Sequence, residues 1–446
     1  MAIDFLKNIF NDNFNKDAII FENSKINYFN LIKKIDHFKE IISTNKIKPT
    51  DVVVLFGDFS FDSIAALLAL IENRSIVVPI SISDKNSDYK IHEISKANHI
   101  FKFYKENEFT ITKLRNFSNK IDLYNRIRKK NNPGLVLFSS GTSGDPKAAV
   151  HDFTKLLEKF KTRRKSLITI NFLLFDHWGG LNTMFHILSN AGTLIITYDR
   201  KPDVICKIIE KNQVELLPTS PSFLNLLILS ESYKRYNLHS LKIITYGTEP
   251  MPKVTLKKLS KIFPDVTLQQ TYGLIELGVM RTKSESSGSL WLKIGGEGYT
   301  YRIKGGLLEI KADSAMLGYL NAPSPFTDDG WYMTGDQVKT KGEYLKIIGR
   351  KSEIINVGGD KVYPQEVENL ILQIKNIADV TVYGEKNPIL GNIVCCDVSL
   401  IELEEKKIIK DRIKLYCDSK LDKFKVPIKI KIVSKMNISN RLKKKR

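Results

Sequence analysis

The feature that most constrains the fold is a repeated alternation of short apolar runs with helix-like segments. Residues 52–56 are Val-Val-Val-Leu-Phe, a helical pattern follows at 63–70, and another apolar run follows at 75–80. Further apolar runs occur at 134–138, 193–197 and 241–246. Strands that are buried on both faces of a parallel sheet are continuous in Val, Ile and Leu. The alternation therefore predicts an α/β fold.

The pattern changes after about residue 290, where short strands lie between glycine turns. The last hundred residues contain two helical stretches, 365–375 and 404–421, among strands. We therefore predict a large multi-sheet α/β amino-terminal domain, residues 1–349, and a small mobile α+β carboxy-terminal domain, residues 350–446. A chain of 446 residues with 42% hydrophobic residues is long enough and apolar enough to form both cores.

Several classes of protein are excluded at this stage. No apolar run approaches the roughly 20 residues that a membrane-spanning helix needs, and the amino terminus does not resemble a secretory signal. The four cysteines contain no Cys-x-x-Cys pair and are a poor disulfide framework. We expect no transmembrane segment, a cytoplasmic location and reduced thiols.

The net charge of +20 raises the question of a nucleic-acid partner. The lysines are spread along the whole chain, and only residues 441–446 form a dense basic run. No basic stripe interleaved with aromatic residues accompanies them. We predict that the excess charge is a solvated surface and that nucleic acid is not a partner.

The most informative segment is residues 135–147, Leu-Val-Leu-Phe-Ser-Ser-Gly-Thr-Ser-Gly-Asp-Pro-Lys. A buried strand ends there in a loop of small, hydroxyl-bearing or glycine residues that a lysine closes. Such a loop can present backbone N–H groups and hydroxyls to an anion, and an ordinary surface turn is the alternative. It is not a Walker loop, because Pro146 replaces the glycine before the lysine and Ala148 replaces the Ser or Thr.

The loop resembles the phosphate loop of the adenylate-forming enzymes, which include acyl-CoA synthetases and stand-alone adenylation domains. Further motifs of that superfamily occur in its order: Thr-Tyr-Gly-Leu-Ile-Glu at 271–276, Trp-Tyr-Met-Thr-Gly-Asp at 331–336, and Gly-Arg at 349–350 before Gly-Gly-Asp-Lys-Val-Tyr-Pro at 358–364. The resemblance spans nearly the whole chain. Each of these motif residues, taken alone, could have a purely structural role. Their occurrence in the same order as in the superfamily favours a functional role.

The resemblance implies an ATP site. It assigns the β- and γ-phosphates to Ser139, Ser140, Gly141, Thr142, Ser143, Gly144 and Lys147. Glu276 would hold Mg²⁺, a hard cation suited to a carboxylate, and Thr271 would contact the α-phosphate. Tyr272 would stack on adenine beside Gly247, Thr248 and Glu249, and Asp336 and Arg350 would bind the ribose.

Two residues are candidates for the pocket of the acid substrate. His177 matches an aromatic or His position that gates this pocket in many acyl-CoA synthetases. Asp176 follows Phe175, and amino-acid adenylating members carry a Phe-Asp pair whose Asp binds the substrate ammonium. The sequence leaves both possibilities open.

The carboxy terminus departs from the family pattern. Members generally end in a Gly-Lys pair whose lysine enters the site, and here Asn440 and Arg441 stand in register. Arg keeps the charge but has a different shape and donor geometry, and Lys443 could serve instead. The hinge position, usually Asp or Lys, is Ser352.

We therefore predict an acid–thiol ligase that is AMP-forming. It would activate a small carboxylic acid as acyl-AMP with ATP and Mg²⁺, release pyrophosphate, and transfer the acyl group to coenzyme A. One alternative is a ligase that loads a separate acyl carrier protein. A second is a non-catalytic nucleotide-binding relative, which would bind ATP without releasing pyrophosphate. A nucleic-acid-binding protein, whose binding would be salt-sensitive and ignore ATP, is the third.

Overall fold

The structure, a computed structural model, describes residues 2–82, 88–114, 121–139, 146–434, 436, 439 and 444. It is an α/β architecture with several sheets, as predicted. The α-helices of the described residues, α1 to α12 in chain order, are Asp4–Asp12, Tyr28–Thr44, Phe61–Glu72, Asp88–Ser95, Asp122–Lys129, Phe153–Leu157, Trp178–Leu188, Pro202–Asn212, Pro221–Ser230, Lys253–Ile262, Pro364–Ile371 and Lys406–Asp418.

The strands are numbered in the same way. Strands β1 to β13 are Asp17–Phe21, Ser24–Asn27, Val52–Phe56, Ile76–Ile80, His99–Lys105, Glu108–Lys113, Gly134–Phe138, Ala148–Asp152, Ile168–Asn171, Thr193–Ile196, Leu216–Thr219, Ile243–Tyr246 and Thr267–Gln270. Strands β14 to β27 are Gly273–Leu274, Gly278–Val279, Arg281–Ser284, Leu292–Gly295, Tyr299–Lys304, Leu307–Ala312, Gly318–Tyr319, Tyr332–Lys341, Tyr344–Arg350, Ile355–Val357, Asp360–Val362, Ile377–Asn387, Gly391–Leu400 and Lys429–Val433.

Strands β1 to β13, together with β20, form two seven-stranded sheets. The first has the order β13-β12-β11-β9-β10-β1-β2, and the second has the order β20-β8-β7-β4-β3-β5-β6. The first sheet is parallel except where β2 joins β1. The second has parallel pairs at its centre and antiparallel pairs towards both edges. The carboxyl ends of parallel strands share one edge of a sheet, which is where ligands bind in open α/β sheets.

Helix α3 lies in the main core, which includes residues of both seven-stranded sheets. All its residues are buried, which explains why the sequence at 61–72 is apolar on every face of the helix. The helix begins with a capping box, in which Ser60 Oγ accepts from Ser63 N and Ser63 Oγ accepts from Ser60 N. The predicted helix at 63–70 is therefore confirmed and slightly longer.

A six-stranded antiparallel sheet follows, in the order β16-β17-β22-β21-β19-β18. Strands β23 to β27 form a separate sheet with its own core, to which α11 and α12 contribute; we call it the carboxy-terminal sheet. The helices predicted at 365–375 and 404–421 correspond to α11 and α12. The boundary between domains at residues 349–350 stays a prediction.

The four cysteines are buried and none forms a disulfide. Among the residues that the structure describes, no helix is both long enough and apolar enough to cross a membrane.

Candidate active site

The glycine-rich loop connects β7 with β8, which pair as an antiparallel hairpin. Ser139 N donates to Lys147 O at 2.9 Å, and Lys147 N donates to Ser139 Oγ at 3.3 Å. The two ends of the loop are thus held together at the carboxyl end of a buried strand. The predicted phosphate contacts at Ser140, Gly141, Thr142, Ser143 and Gly144 lie outside the described residues.

Lys147 and Glu276 are brought close together by Tyr319. Lys147 Nζ lies 5.6 Å from the centroid of the Tyr319 ring, and the Tyr319 hydroxyl donates to Glu276 Oε1 at 2.6 Å. Burial raises the pKa of Tyr332, and the nearby Glu276 charge and Tyr319 raise it further. The predicted phosphate lysine and the predicted magnesium ligand therefore share one cluster with Tyr319, which the motifs do not include, and with Tyr332, which the motif at 331–336 contains without an assigned role.

Asp336 is the centre of a second cluster and is only 5% exposed. Asp336 Oδ2 accepts a short hydrogen bond from the Tyr272 hydroxyl, and Asp336 Oδ1 accepts from Arg350 Nε at 3.2 Å. Asp336 and Arg350 are opposite each other on the neighbouring strands β21 and β22, which explains their contact. Burial raises the pKa of the Asp336 carboxyl, and Arg350 and Tyr272 oppose that shift. Each carboxylate oxygen keeps a lone pair with which it can accept from a ribose hydroxyl.

Gly247 and Thr271 approach each other closely at the ends of β12 and β13. A Cβ on Gly247 would lie 2.3 Å from Thr271 Oγ1 and 2.8 Å from Thr271 O, so only glycine fits. Thr271 N and Oγ1 both donate to Tyr246 O, at 2.7 and 3.1 Å. Thr248 has a φ of +72°, a backbone conformation that non-glycine residues rarely adopt. The segment is therefore fixed tightly against the predicted α-phosphate contact.

The side chain of Glu249 is already engaged by the protein. Its Oε1 accepts from Ser222 N at 2.6 Å, and its Oε2 accepts from Lys444 N at 3.3 Å. Burial raises the pKa of this carboxyl. The contact of residues 247–249 with adenine stays a prediction.

His177 and Asp176 precede α7. His177 is the amino-terminal cap of that helix, since its Nδ1 accepts from Gly179 N at 3.1 Å. Asp176 is buried and lies near Arg200: burial lowers the pKa of the Arg200 guanidinium, and Asp58 and Asp176 oppose that shift. An ammonium group bound at Asp176 would therefore compete with a cation of the chain.

A cleft of about 2050 Å³ separates α9, α10 and the ends of β12 and β13 from the carboxy-terminal sheet. Asp336, Arg350, Thr271 and Tyr272 line it, as do Ser439 and Lys444 from the chain's last residues. Arg441 and Lys443, the predicted catalytic cations, lie outside the described residues, between these two.

Part of the cleft wall is basic. Lysines that have no ion-pair partner within the described part of the chain line it at Lys253, Lys257, Lys258, Lys261, Lys339 and Lys346. Lys253, Lys257 and Lys261 are spaced at i, i+4 and i+8 and so lie on one face of α10. The pKa of Lys346 is lowered by burial and by the charges of Lys253 and Lys339. Such a surface attracts anionic ligands.

The donor set fits a magnesium-bound nucleotide. Mg²⁺ usually keeps several waters and takes one or two carboxylates together with substrate phosphates. Glu276 offers one buried carboxylate next to Lys147, and within the described ranges no three His, Cys, Asp or Glu side chains are grouped as a metal site. The arrangement suits a cation that arrives with phosphate.

Comparison with known protein families identifies the chain. The family described as AMP-binding enzyme matches residues 7–289, and the AMP-binding enzyme C-terminal domain matches residues 366–443. The chain belongs to the AMP-binding enzyme family. The resemblance inferred from the motifs is thereby confirmed.

Relatives of this AMP-binding enzyme include an indoleacetate–CoA ligase from Aromatoleum aromaticum, which is 27% identical over 66% of this chain and 62% of its own length. The alignment thus covers less than two thirds of that relative. A 3,4-dihydroxybenzoate–[aryl-carrier protein] ligase from Bacillus anthracis is 26% identical over 84% of this chain and 85% of its own.

Solved structures give the same fold. The anthranilate CoA ligase AuaEII in complex with anthranoyl-AMP has a TM-score of 0.83 at 16% identity, with 100% of this chain and 95% of that chain covered. ATP-bound MatB from Rhodopseudomonas palustris has a TM-score of 0.81 at 19% identity, with 100% and 97% covered.

Proposed function

We propose that this AMP-binding enzyme activates a carboxylic acid with ATP and then transfers the acyl group to the thiol of coenzyme A. In the first step a carboxylate oxygen attacks the α-phosphorus of ATP, which forms the acyl–phosphate bond and releases pyrophosphate. In the second step the thiol sulfur attacks the acyl carbon, AMP leaves, and the thiol proton passes to solvent.

The observation that carries this proposal is the proximity of two clusters: besides burial, the charge of Glu276 in the first raises the pKa of Asp336 in the second, and Asp336 lines the cleft. Lys147, Tyr319 and Glu276 form one cluster, and Asp336 with its buried partners forms the other. The first offers a cation and a carboxylate suited to phosphates with their metal ion. The second offers carboxylate oxygens suited to two ribose hydroxyls.

The resemblance assigns the β- and γ-phosphates to Lys147 and the loop from Ser139 to Gly144. It assigns the α-phosphate to Thr271, whose hydroxyl would turn from Tyr246 O to donate to the phosphate. Tyr272 and Arg350 hold Asp336 for the ribose. Glu276 would hold Mg²⁺, which when bound neutralises charge on the phosphates. Cations and oriented donors stabilise the negative charge that gathers on phosphate oxygens in the transition state.

Arg441, or Lys443 in its place, supplies the cation that the family takes from its carboxy-terminal lysine. Ser439 and Lys444 line the same cleft as Asp336, which supports this role for the residues between them. The surplus of unpaired lysines in the cleft supports an anionic thiol donor such as coenzyme A. A carrier protein with an acidic surface is the second candidate, and a ligase of that kind is among the relatives.

The variant Asp336→Ala tests the proposal. It removes both oxygens offered to the ribose, and a hydrogen bond to a charged group contributes about 1.5–3 kcal/mol. We expect kcat/KM for ATP in acid-dependent pyrophosphate release to fall by about 10²–10⁴-fold, which is the effect of two such bonds. Asp328→Ala, an exposed carboxylate in the same segment, is the control and keeps wild-type activity. Full activity in folded Asp336→Ala protein would contradict the assignment.

A further inference from the structure

Three polar residues form a row across the first seven-stranded sheet. Thr219, Tyr246 and Gln270 are the last residues of the adjacent parallel strands β11, β12 and β13. Thr219 is in register with Tyr246, and Tyr246 is in register with Gln270. Residues in register on parallel strands point to the same face, so the three side chains lie side by side.

The row is buried and its polar atoms lack partners. The three residues are 5%, 1% and 7% exposed in chain order. Thr219 Oγ1, Tyr246 Oη and Gln270 Oε1 have no hydrogen-bond partner among the described residues. Leaving one buried polar atom unsatisfied costs about 1–3 kcal/mol. Three such atoms side by side therefore point to a ligand that supplies their partners.

The same face of the sheet is apolar two residues before the row on each strand. Leu217, Ile244 and Leu268, two residues earlier on the three strands, belong to a buried hydrophobic cluster. The face therefore changes from apolar to polar only at the carboxyl ends of the strands.

The row adjoins the proposed adenylation site. Gly247 follows Tyr246 directly, and Thr271 follows Gln270 and donates to Tyr246 O. Gln270 lines the cleft. A carboxylate that reaches the α-phosphate beside Thr271 thus has its substituents next to the row.

The three groups of the row are uncharged. An ammonium group or a second carboxylate buried among them would have no counter-charge within the row, and burying an unpaired charge is costly. A hydroxyl group can both donate to Gln270 Oε1 and accept from a tyrosine or threonine hydroxyl.

We propose that Thr219, Tyr246 and Gln270 determine the acid selectivity, and that the acid carries a neutral hydroxyl substituent. This inference rests on the proposed function. It places the substrate among hydroxy acids, as opposed to hydrocarbon acids, amino acids or dicarboxylic acids.

The test uses acids paired so that they differ by one hydroxyl, benzoate with the hydroxybenzoates and butyrate with its hydroxybutyrates. Turnover is measured as ATP–pyrophosphate exchange, and binding is measured separately by calorimetry in the presence of AMP. A site built around a hydroxyl rejects the analogue that lacks it by up to about 10⁴–10⁵-fold. We expect at least one hydroxylated acid to exceed its partner by about 10²-fold or more in kcat/KM.

Two oxygen-deleting variants sharpen the test. Tyr246→Phe and Thr219→Val each remove one polar oxygen at nearly constant shape, and each should reduce the preference for the hydroxylated acid at least about tenfold. Tyr416→Phe, on α12 in the carboxy-terminal part, is the matched control and keeps the wild-type ratio.

The outcomes separate the inference from the proposed function. Exchange with equal rates for paired acids, or a preference that both variants leave unchanged, overturns the inference and leaves the function standing. A preference in binding that Tyr246→Phe abolishes, without exchange for any acid, supports the inference and overturns the function. A preference for amino or dicarboxylic acids overturns the inference alone, and no binding of any acid overturns both.

Discussion

At the scale of single residues, the contact between Gly247 and Thr271 shows how little room the site has. A methyl group on Gly247 would overlap both the hydroxyl and the carbonyl oxygen of Thr271. Thr271 cannot move away freely, because its N and Oγ1 both donate hydrogen bonds to Tyr246 O. The glycine therefore positions the proposed α-phosphate contact.

Gly247→Ala should consequently displace Thr271 and weaken activation of the acid. We expect kcat/KM for ATP to fall by about 10–100-fold, with a loss of about 1–3 kcal/mol in the free energy of unfolding, as overpacking usually causes. Gly288→Ala is the control, because a Cβ there would meet no atom within 4 Å. Equal kinetics in the two variants would show that Thr271 has no part in the reaction.

The site residues that could be predicted from the order of the motifs are mainly those with charged or hydrogen-bonding side chains. Asp336, Arg350 and Tyr272 were predicted separately for one nucleotide, and the structure brings them into contact. Tyr319 was not predicted, because a tyrosine in a turn-rich segment carries neither a charge nor a periodic pattern, and Tyr332 was part of a motif but had no assigned role. Their position beside Glu276 depends on a fold that joins segments more than 40 residues apart.

At the scale of elements, strand β8 shows how burial controls a titrating group. All five residues of β8 are buried, His151 among them. Burial lowers the pKa of His151 to about 4, although backbone groups of Ile275 and Ser314 oppose the shift. The strand also anchors one end of the glycine-rich loop.

His151 should therefore make the protein less stable in acid. Between pH 6.5 and 4 the unfolded chain binds a proton at this histidine and the folded chain does not, so stability falls as the pH falls. The loss attributable to His151 is about 3 kcal/mol across this interval, at about 1.4 kcal/mol for each pKa unit. Urea unfolding of His151→Gln at pH 4.5 and 7 should show a smaller pH dependence than the wild type.

His239→Gln is the control for that measurement, because His239 is exposed. It should keep the pH dependence of the wild type. An unchanged pH dependence in His151→Gln would show that this histidine is protonated in the folded protein.

The strands and helices were largely predictable, whereas their arrangement was not. The apolar runs at 52–56 and 134–138 correspond to β3 and β7 as predicted. The sequence did not indicate that β1 lies between β2 and β10. The residues of β10 are about 170 positions after those of β1 in the chain. Nor could the sequence reveal the polar row, since Thr219, Tyr246 and Gln270 become neighbours only through the register of three strands.

At the scale of the whole molecule, the carboxy-terminal sheet contacts the rest of the chain around the cleft. Asn225 Nδ2 donates to Ala378 O at 3.1 Å, and Lys253 N donates to Asn369 Oδ1 at 2.8 Å. Lys444 joins both sides, since its Nζ pairs with Asp379 at 2.5 Å and its N donates to Glu249 Oε2. Lys444 thus connects the two walls of the cleft.

Lys444→Ala should loosen this connection. Removing one partner of a buried ion pair costs about 3–5 kcal/mol, because Asp379 would keep an uncompensated buried charge. We expect a lower melting temperature and faster hydrogen exchange around residues 378–380, with Lys444→Arg restoring both in part. Lys407→Ala, an exposed lysine on α12, is the control. Wild-type melting and exchange in Lys444→Ala would contradict the proposed connection.

The proposed function depends on acid activation, and pyrophosphate release tests it most directly. Release would be measured with ATP and Mg²⁺ across hydroxy, hydrocarbon, aryl and amino acids, each with and without coenzyme A. We expect release that requires a particular acid and rises with coenzyme A, whereas release indifferent to coenzyme A would indicate a carrier protein as acceptor. Bound ATP without pyrophosphate release for any acid in the panel would contradict the proposed function and favour a non-catalytic nucleotide-binding protein.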